Sequence, residues 1–274
     1  MFDAKIQTKA AVEMQRSRGV ARAGFSGARL TGLHQSGSAK AILPRVPGAA
    51  EVVFLNTSGG LASGDRLAYK TDLENGAKLV ATTQAAERAY RADGDQAQVE
   101  VHHTVGAGCH LDWLPQETIL FDRAKLARDT TISLAADASC LMLEAVVLGR
   151  IAMGERVQDL QFFDMRRIDR AGKPVFFEPF LLNSNILAKG ARSAVLGEAR
   201  AFATLVLCQQ GAEDAVEPLR AVLDEPGVEG AASGFDGKCV IRLLARDGWP
   251  MRRQIIRLFN TLRRGEAAPR VWQI

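Results

Sequence analysis

A unit made of an alternating strand, a turn and an apolar strand recurs along this chain, and it constrains the fold more than any other feature of the sequence. In its first copy, residues 67–73 alternate between apolar and polar side chains, Asn75-Gly76 marks a turn, and an apolar run follows at 78–83. Further copies occupy 98–114, 130–145 and, more loosely, 161–180. Such alternation is typical of half-buried β-strands, so the sequence predicts a mainly β protein.

The copies follow one another at a nearly constant interval. Equivalent positions lie 32, 30 and 34 residues apart, at Leu79, Leu111, Leu141 and Val175. Repeated units of this length bury their apolar faces only against their neighbours, which favours a layered or helical stack of β-hairpins resembling a β-solenoid or roll. The alternative is an ordinary β-sandwich whose hairpins have similar lengths.

Helical periodicity is confined to the last third of the chain. Apolar side chains recur at helical spacing in Ala212–Leu223 and again in Met251–Leu262, which predicts about two helices. Strand-like runs at 202–208 and 240–245 bracket the first of them. We therefore expect a single domain over residues 1–274, with a mixed α/β segment at 201–274.

The charge balance argues against a nucleic-acid-binding protein. Lys and Arg number 35 against 31 Asp and Glu, a formal excess of +4, and 252–264 is the only dense basic stretch. A dedicated nucleic-acid binder concentrates a larger excess on one face or tail. The basic stretch instead indicates a solvated helix face or a surface for an acidic partner.

Targeting and membrane signals are also missing from the sequence pattern. The N-terminal residues carry charges and no apolar core of a secretory signal. The longest apolar run, Cys140–Gly149, is interrupted by Glu144 and is shorter than the roughly 20 residues that span a bilayer. The four cysteines are spread along the chain without a CxxC pair, so free thiols are favoured. We expect a cytoplasmic protein without a membrane span.

A glycine-rich segment, Gly59–Asp65, invites comparison with phosphate-binding loops. It lacks both the Gly-Lys-Ser/Thr ending of a P-loop and the GxGxxG order of a dinucleotide-binding fold. Lying between strand-like runs, it is typical of a wide turn. Its last residue, Asp65, either accepts hydrogen bonds from nearby amides or places a carboxylate at the mouth of a pore or site.

Two carboxylates lie in apolar surroundings. Glu144 is flanked on both sides by apolar residues, and a buried ionised carboxylate costs several kcal/mol unless it is paired. Either an arginine such as Arg150 forms a structural ion pair with it, or it faces a water-filled passage that conducts a cation. Glu178, which follows the apolar residues 175–177, has the same two interpretations.

Four potential metal ligands lie close together in sequence: His102, His103, Cys109 and His110. Imidazole and thiolate suit nickel or zinc, so a stand-alone metal-binding protein is the alternative function. Strand alternation, however, sends His102 and His103 to opposite faces, and the spacing matches no standard zinc framework. A Gly-x-Ser-x-Gly elbow and an oriented Cys-His pair are both missing, so the sequence does not predict an enzyme.

Five ordered blocks give the chain a family resemblance that spans nearly its whole length. They are Phe54–Asp65, Thr82–Arg91, Trp113–Asp122, Leu148–Arg150 with Gly154-Glu155, and Pro269–Trp272. Together they resemble UreD, the urease accessory protein family that some nomenclatures name UreH. The resemblance implies a mostly β scaffold without enzymatic activity. It further implies binding to apo-urease and UreF, and through UreF to the GTPase UreG, with Ni²⁺ passing through an internal channel to the urease active site.

The resemblance also implies roles for four carboxylates. Asp65 ends the family's Gly-Gly-x-x-x-Gly-Asp pattern, Glu144 precedes Leu-Gly-Arg, and Glu178 follows an apolar strand. Glu87 precedes Tyr-Arg at a position where the family commonly has another residue. All four are expected to make transient contacts with Ni²⁺ in transit, with no tightly bound cofactor. Residues 55–58 depart from the His-Pro-Pro of some members, so no ligand role carries over there.

Overall fold

The computed structural model describes residues 16–189, 196–263 and 266–273. Its strands are β1 (Arg18–Ser26), β2 (Arg29–Gly37), β3 (Ala39–Ile42), β4 (Ala50–Asn56), β5 (Arg66–Glu74), β6 (Lys78–Thr83), β7 (Glu87–Ala89), β8 (Ala97–Val105), β9 (His110–Trp113), β10 (Thr118–Leu120), β11 (Ala124–Leu134), β12 (Ser139–Leu148), β13 (Leu160–Arg170), β14 (Lys173–Asn183), β15 (Ala201–Cys208), β16 (Val228–Phe235) and β17 (Lys238–Ala245). Its α-helices are α1 (Ser184–Lys189), α2 (Val216–Arg220) and α3 (Gly248–Leu262). Short 3-10 turns occupy Ile151–Met153, Ala212–Ala215 and Arg270–Trp272.

These strands form two sheets. The seven-stranded sheet has the order β14-β13-β11-β8-β5-β1-β2. The ten-stranded sheet has the order β16-β17-β15-β12-β9-β6-β4-β3, with β10 and β7 extending from β12. The strands at the centre of both sheets pair in parallel, and antiparallel pairs occur at the sheet ends.

The repeated unit is one coil of a β-solenoid of about four turns, so the predicted layered stack is confirmed and the sandwich alternative is not. The predicted hairpins need a correction in the first three copies. β5 pairs with β1 and β8 in one sheet, whereas β6 pairs with β4 and β9 in the other. The chain turns a corner between the sheets, and hydrogen bonds then form between successive coils. The fourth copy, β13–β14, is a true hairpin.

Side-chain alternation explains why these residues form a solenoid. Along β8 and β11 every second residue is buried, and these residues face the interior between the two sheets. Burial of the inward apolar side chains removes them from water and stabilises the coil stack. The same alternation assigns a face to every polar residue on these strands, and a polar residue of inward parity enters the core.

A second core lies on the other face of the ten-stranded sheet, where α3 packs. The buried apolar side chains of α3 are Met251, Ile255, Leu258 and Phe259, and Asp247 caps the helix by accepting a hydrogen bond from the Trp249 amide at 3.1 Å. The predicted helix at Met251–Leu262 is therefore confirmed. The predicted helix at Ala212–Leu223 is shorter, a 3-10 turn followed by α2, and α1 was not predicted. None of the helices in the described ranges is both long enough and apolar enough to cross a membrane.

The C-terminal Pro269–Trp272 block is hydrogen-bonded to the segment that follows β9. Trp272 is 1% exposed, packs edge-on against Phe259, and donates a hydrogen bond from Nε1 to the Leu114 carbonyl at 3.0 Å. Gln116 donates to the Val271 carbonyl at 2.9 Å. Two sequence blocks more than 150 residues apart thus form one structural unit.

Arg252 on α3 also contacts this unit. Arg252→Met is expected to lower the free energy of unfolding by about 2–3 kcal/mol. Its guanidinium donates to Gln116 and to the Val271 carbonyl and lies 4.6 Å from the Trp272 ring centroid. The matched control is Arg257→Met on the same helix, because Arg257 is exposed and pairs with exposed Asp224, and the buried Glu225 that it also contacts at 3.3 Å keeps its ion pair with Arg253. We expect that change to cost less than about 1 kcal/mol. Urea unfolding measures both, and equal losses would contradict a structural role specific to Arg252.

Candidate functional site

A row of charged side chains runs through the interior between the two sheets. Its members are Glu144, Arg128, Asp164, Arg166, Glu178 and Arg242, and we refer to them as the axial charge chain. They occupy neighbouring positions on adjacent strands, as Arg128 does beside Asp164, and Arg166 beside Glu178. Arg128 and Asp164 lie on parallel strands of successive coils, and β14 extends the same sheet beyond β13, so the row follows the axis of the stack.

Carboxylates and guanidinium groups alternate along this row. Glu144 lies 2.7 Å from Arg128, which holds Asp164 through two hydrogen bonds of 2.8 and 2.7 Å. Arg166 joins Asp164 to Glu178, at 2.5 and 2.9 Å. Arg242 ends the row at 2.6 Å from Glu178. Every contact is short enough for a direct ion pair.

Most of the axial charge chain is shielded from water. Asp164 is 0% exposed, Glu144 and Arg166 are 1% exposed, and Arg242 has a side chain that is 62% exposed. Burial opposes the ionisation of Asp164, but the charges of Arg128 and Arg166 outweigh it and hold its pKa below the usual value. Burial likewise opposes the charge on Arg128, but Asp164 and Glu144 raise its pKa. Asp164 and Arg128 are therefore ionised at neutral pH.

Glu144 has the compensating partner that the sequence requires, although it is not Arg150. Besides its ion pair with Arg128, it accepts hydrogen bonds from Trp113 Nε1 at 3.1 Å and from Thr130 Oγ1 at 2.8 Å. Arg150 lies at the surface beyond the end of β12 and pairs with Glu155 at 2.8 Å. Alternation along β12 explains the difference, because Glu144 faces the interior and its partner comes from a strand of the opposite sheet.

The axial charge chain connects two cavities. At its inner end a cavity of about 40 Å³ is lined by Glu87, Thr118, Arg128 and Glu144, among others. That volume accommodates a few water molecules. At its outer end a pocket of about 460 Å³ is bordered by Arg166, Glu178 and Arg242. The row of ion pairs therefore extends from a small, mainly apolar cavity that Glu87, Arg128 and Glu144 border to a larger pocket at the surface.

Glu87 faces the inner cavity from β7. Its carboxylate accepts hydrogen bonds from Asn56 Nδ2 at 3.2 and 3.3 Å, and burial raises its pKa to about 7. Asn56 also donates to the Gly60 carbonyl, so the glycine-rich turn positions this contact. Gly60 has a φ of 151°, and a Cβ there would clash with the Tyr90 ring and the Arg88 carbonyl. The turn thus requires glycine where it packs against β7.

The raised pKa of Glu87 predicts a pH-dependent stability. Between about pH 4.5 and 7 the folded chain binds more protons than the unfolded chain at this position, so stability falls as pH rises through that window. The loss amounts to at most about 3 kcal/mol. Glu87→Gln removes the titrating group and with it this pH-dependent loss. The free energy of unfolding of the variant should therefore increase relative to that of the wild type as pH rises from 5 to 8. Urea unfolding across that range measures the difference, and a constant difference would contradict the prediction.

Buried His103 changes stability in the opposite direction over part of this range. Burial lowers its pKa to about 3 from the usual 6.5, so stability falls as pH drops below 6.5. The effect is present in both the wild type and the Glu87→Gln variant. The difference between their free energies of unfolding therefore reports on Glu87 alone.

Asp65 lies outside the axial charge chain. Its carboxylate accepts hydrogen bonds from the Ser17 amide at 2.7 Å and the Ala62 amide at 2.8 Å. This arrangement matches the loop interpretation, in which the carboxylate holds the turn before β5. Its charge also contributes, as the smallest of the causes, to the raised pKa of Glu87.

The histidine and cysteine cluster does not converge. His102 is exposed, whereas His103 is fully buried, contacts Thr71 Oγ1 at 2.8 Å through Nδ1, and packs against Trp113. His110 instead contacts Ser139 and Asp112. Across the ranges that the structure describes, no three His, Cys, Asp or Glu side chains are placed to hold a metal ion together. Alternation separates the predicted ligands, and the stand-alone metal site loses its support.

The sequence analysis singled out Glu144, Glu178 and Glu87, but not the charged residues that lie between Glu144 and Glu178 in the row. Arg128 has the inward parity of β11, and Asp164 and Arg166 have the inward parity of β13. A charged residue on the apolar parity of an alternating strand is the signal that identifies such positions.

Comparison with known proteins assigns this architecture to a family. The family model described as "UreD urease accessory protein" matches residues 14–273. A protein of Cereibacter sphaeroides is 60% identical over 246 residues, 89% of each chain. One of Paracoccus denitrificans is 51% identical over all of this chain and 97% of its own, and one of Sinorhizobium medicae is 44% identical over 98% and 100%. Each bears the name urease accessory protein UreD.

Proposed function

Because this chain belongs to the UreD family of urease accessory proteins, we propose that it matures nickel urease as a non-enzymatic scaffold and metallochaperone. In this proposal the chain binds apo-urease and UreF in the cytoplasm, and UreG through UreF. It conducts Ni²⁺ through its interior to the urease active site, and no covalent chemistry takes place on it. Nickel is the cargo.

The axial charge chain is the observation that carries the proposal. Three carboxylates in a solenoid interior are energetically unfavourable, since well-packed apolar residues in place of buried ion pairs often leave a protein equally stable or more stable. A fold that needed only a core would not require them. Their position between an internal cavity and a surface pocket supports a transport role.

Carboxylate chemistry also suits a route along which the ion must be released. Oxygen ligands bind Ni²⁺ less tightly than convergent imidazole and thiolate ligands do. Conduction requires binding that is favourable enough for entry and weak enough for exit. Glu178 at the surface pocket, and Glu144 and Glu87 at the inner cavity, provide successive weak sites, and we add Asp164 between Glu178 and Glu144. Asp65 contributes negative potential near Glu87 and positions the turn.

Co-expression tests the scaffold role directly. Tagged chain is produced with UreF, UreG and apo-urease, complexes are captured by affinity, and urease activity is compared with and without this chain. We expect capture of UreF and apo-urease, and activation that depends on the chain. A folded chain that captures neither partner would contradict the proposal.

A further inference from the structure

We infer that Arg128, Arg166 and Arg242 are built-in counterions that close the passage in the isolated chain, and that a divalent cation enters by displacing them. We refer to these three residues as the counterion gate. The inference rests on the proposed function, because it takes the axial charge chain as the route of the cation.

Charge balance is the first argument. The row holds three carboxylates and three guanidinium groups, so its formal charge is zero. A divalent cation placed beside any of these carboxylates also meets a guanidinium within 3 Å of that carboxylate. Repulsion between like charges is strong where water is excluded. The cation therefore gains little from the row until an arginine moves away.

The carboxylate oxygens are also already occupied. Both oxygens of Asp164 accept hydrogen bonds from arginine. Both oxygens of Glu178 do so too, one from Arg166 and the other from Arg242. Oε1 of Glu144 accepts from Trp113 and Thr130, while Oε2 lies 2.7 Å from Arg128 in an ion pair without hydrogen-bond geometry. At Asp164 and Glu178 a cation needs these same lone pairs, so binding there is an exchange of ligands.

The space around each arginine sets the order of the exchange. Arg242 is 62% exposed and borders the pocket of about 460 Å³, so it has room to move. Arg166 lines the same pocket but is 1% exposed and is held by Asp164, Glu178 and Thr204. Phe180 in the same pocket lies 5.9 Å from the Arg166 guanidinium and offers it an aromatic face. Arg128 is 6% exposed and borders only the small inner cavity. Opening therefore begins at Arg242, and Glu178 is the first carboxylate to be released.

A purely structural role for these arginines and a counterion role predict different effects of arginine removal on the affinity for a cation. If they only stabilise the fold, removing one weakens the protein and does not raise its affinity for a cation. If they are counterions, removing one frees a carboxylate. The affinity of the full-length chain for Ni²⁺ alone separates the two, with equilibrium dialysis as the measurement.

We expect Arg242→Met to raise the affinity for Ni²⁺ several-fold and Arg166→Met to raise it by at least about tenfold, because each removes a charge beside Glu178. Arg166→Lys keeps the charge and should leave the affinity low. Adding Glu178→Gln to Arg242→Met should abolish the gain, because Glu178 is the carboxylate of the row that Arg242 contacts. The matched control is Arg150→Met, since Arg150 pairs with Glu155 at the surface, away from the row.

Thermal unfolding accompanies each measurement. If Arg166→Met does not fold, Arg242→Met decides the question, because its exposed side chain leaves the buried pairs intact. Folded variants with unchanged or weaker affinity overturn the counterion gate. That result leaves the proposed function standing if urease activation still depends on Glu144 and Glu178. Activation that is independent of both carboxylates overturns the conduit itself.

Discussion

Replacing Asp164 by alanine is expected to lower the free energy of unfolding by about 3–5 kcal/mol. Asp164 is 0% exposed and is shared by Arg128 and Arg166. Without it, two buried guanidinium groups lose their common partner and face each other across the gap. Removing one member of a buried charge network is costly mainly for this reason, because the desolvated charges that remain are no longer compensated.

The matched control lies on the same strand. Asp169 pairs with Arg167 on a more exposed part of β13, so Asp169→Ala is expected to cost less than about 1 kcal/mol. Urea unfolding at pH 7 measures both variants. Equal losses would mean that the axial charge chain does not stabilise the interior as an ionised network.

The difference in free energy of unfolding between the wild type and Asp164→Ala should become smaller at acidic pH. The pKa of Asp164 in the folded chain lies below its ordinary value of 3.8. Its stabilising contribution is therefore complete above that value and is lost as pH falls through the folded-state pKa. Unfolding measured from pH 7 downwards should show the two proteins converging below about pH 4.

The solenoid could be predicted from the sequence because alternation and repeat length both reflect burial. The pairing of strands could not, because a corner between sheets and a turn within a hairpin have similar residues. Asn75-Gly76 is a sequence typical of hairpins, yet it lies in a three-residue connection from β5 to β6 that changes sheets. The connection from β13 to β14 has only the two residues Ala171-Gly172 and forms a hairpin. The length of the connection distinguishes a corner between sheets from a hairpin turn here, whereas its amino-acid composition does not.

The part of the candidate site that could be predicted from the sequence is the carboxylate that lies in an apolar run. Glu144 is surrounded by apolar residues, so the need for a partner is visible in the sequence. The identity of that partner is not, because Arg128 belongs to the opposite sheet and local spacing favours Arg150. Pairing across the interior depends on how coils stack, and a single sequence fixes that register only through parity. In the His102–His110 cluster, nearness in sequence does not produce nearness in space, and strand alternation predicted the separation of His102 from His103.

Glu144→Gln is expected to reduce urease activation at least about tenfold, equivalent to about 1.4 kcal/mol on the limiting step, while capture of UreF and apo-urease is unchanged. Glutamine keeps the volume and can still accept hydrogen bonds from Trp113 and Thr130, but it removes the charge. A cation passing the inner cavity would then lose its anionic ligand there. Alanine would be a poorer choice, because it would also leave a cavity in the core.

The control for this change is Glu100→Gln. Glu100 lies on β8 with an exposed side chain, and it undergoes the same chemical change outside the passage. Urease activity in the co-expression assay, together with affinity capture and thermal unfolding of each variant, distinguishes the outcomes. Normal activation by a folded Glu144→Gln chain would show that the carboxylate does not serve transport, and loss of capture would assign Glu144 to the scaffold. Reduced activation with intact capture, seen for Glu144 and not for Glu100, is the result that a conduit requires, because only a group on the route of the ion affects its delivery without affecting assembly.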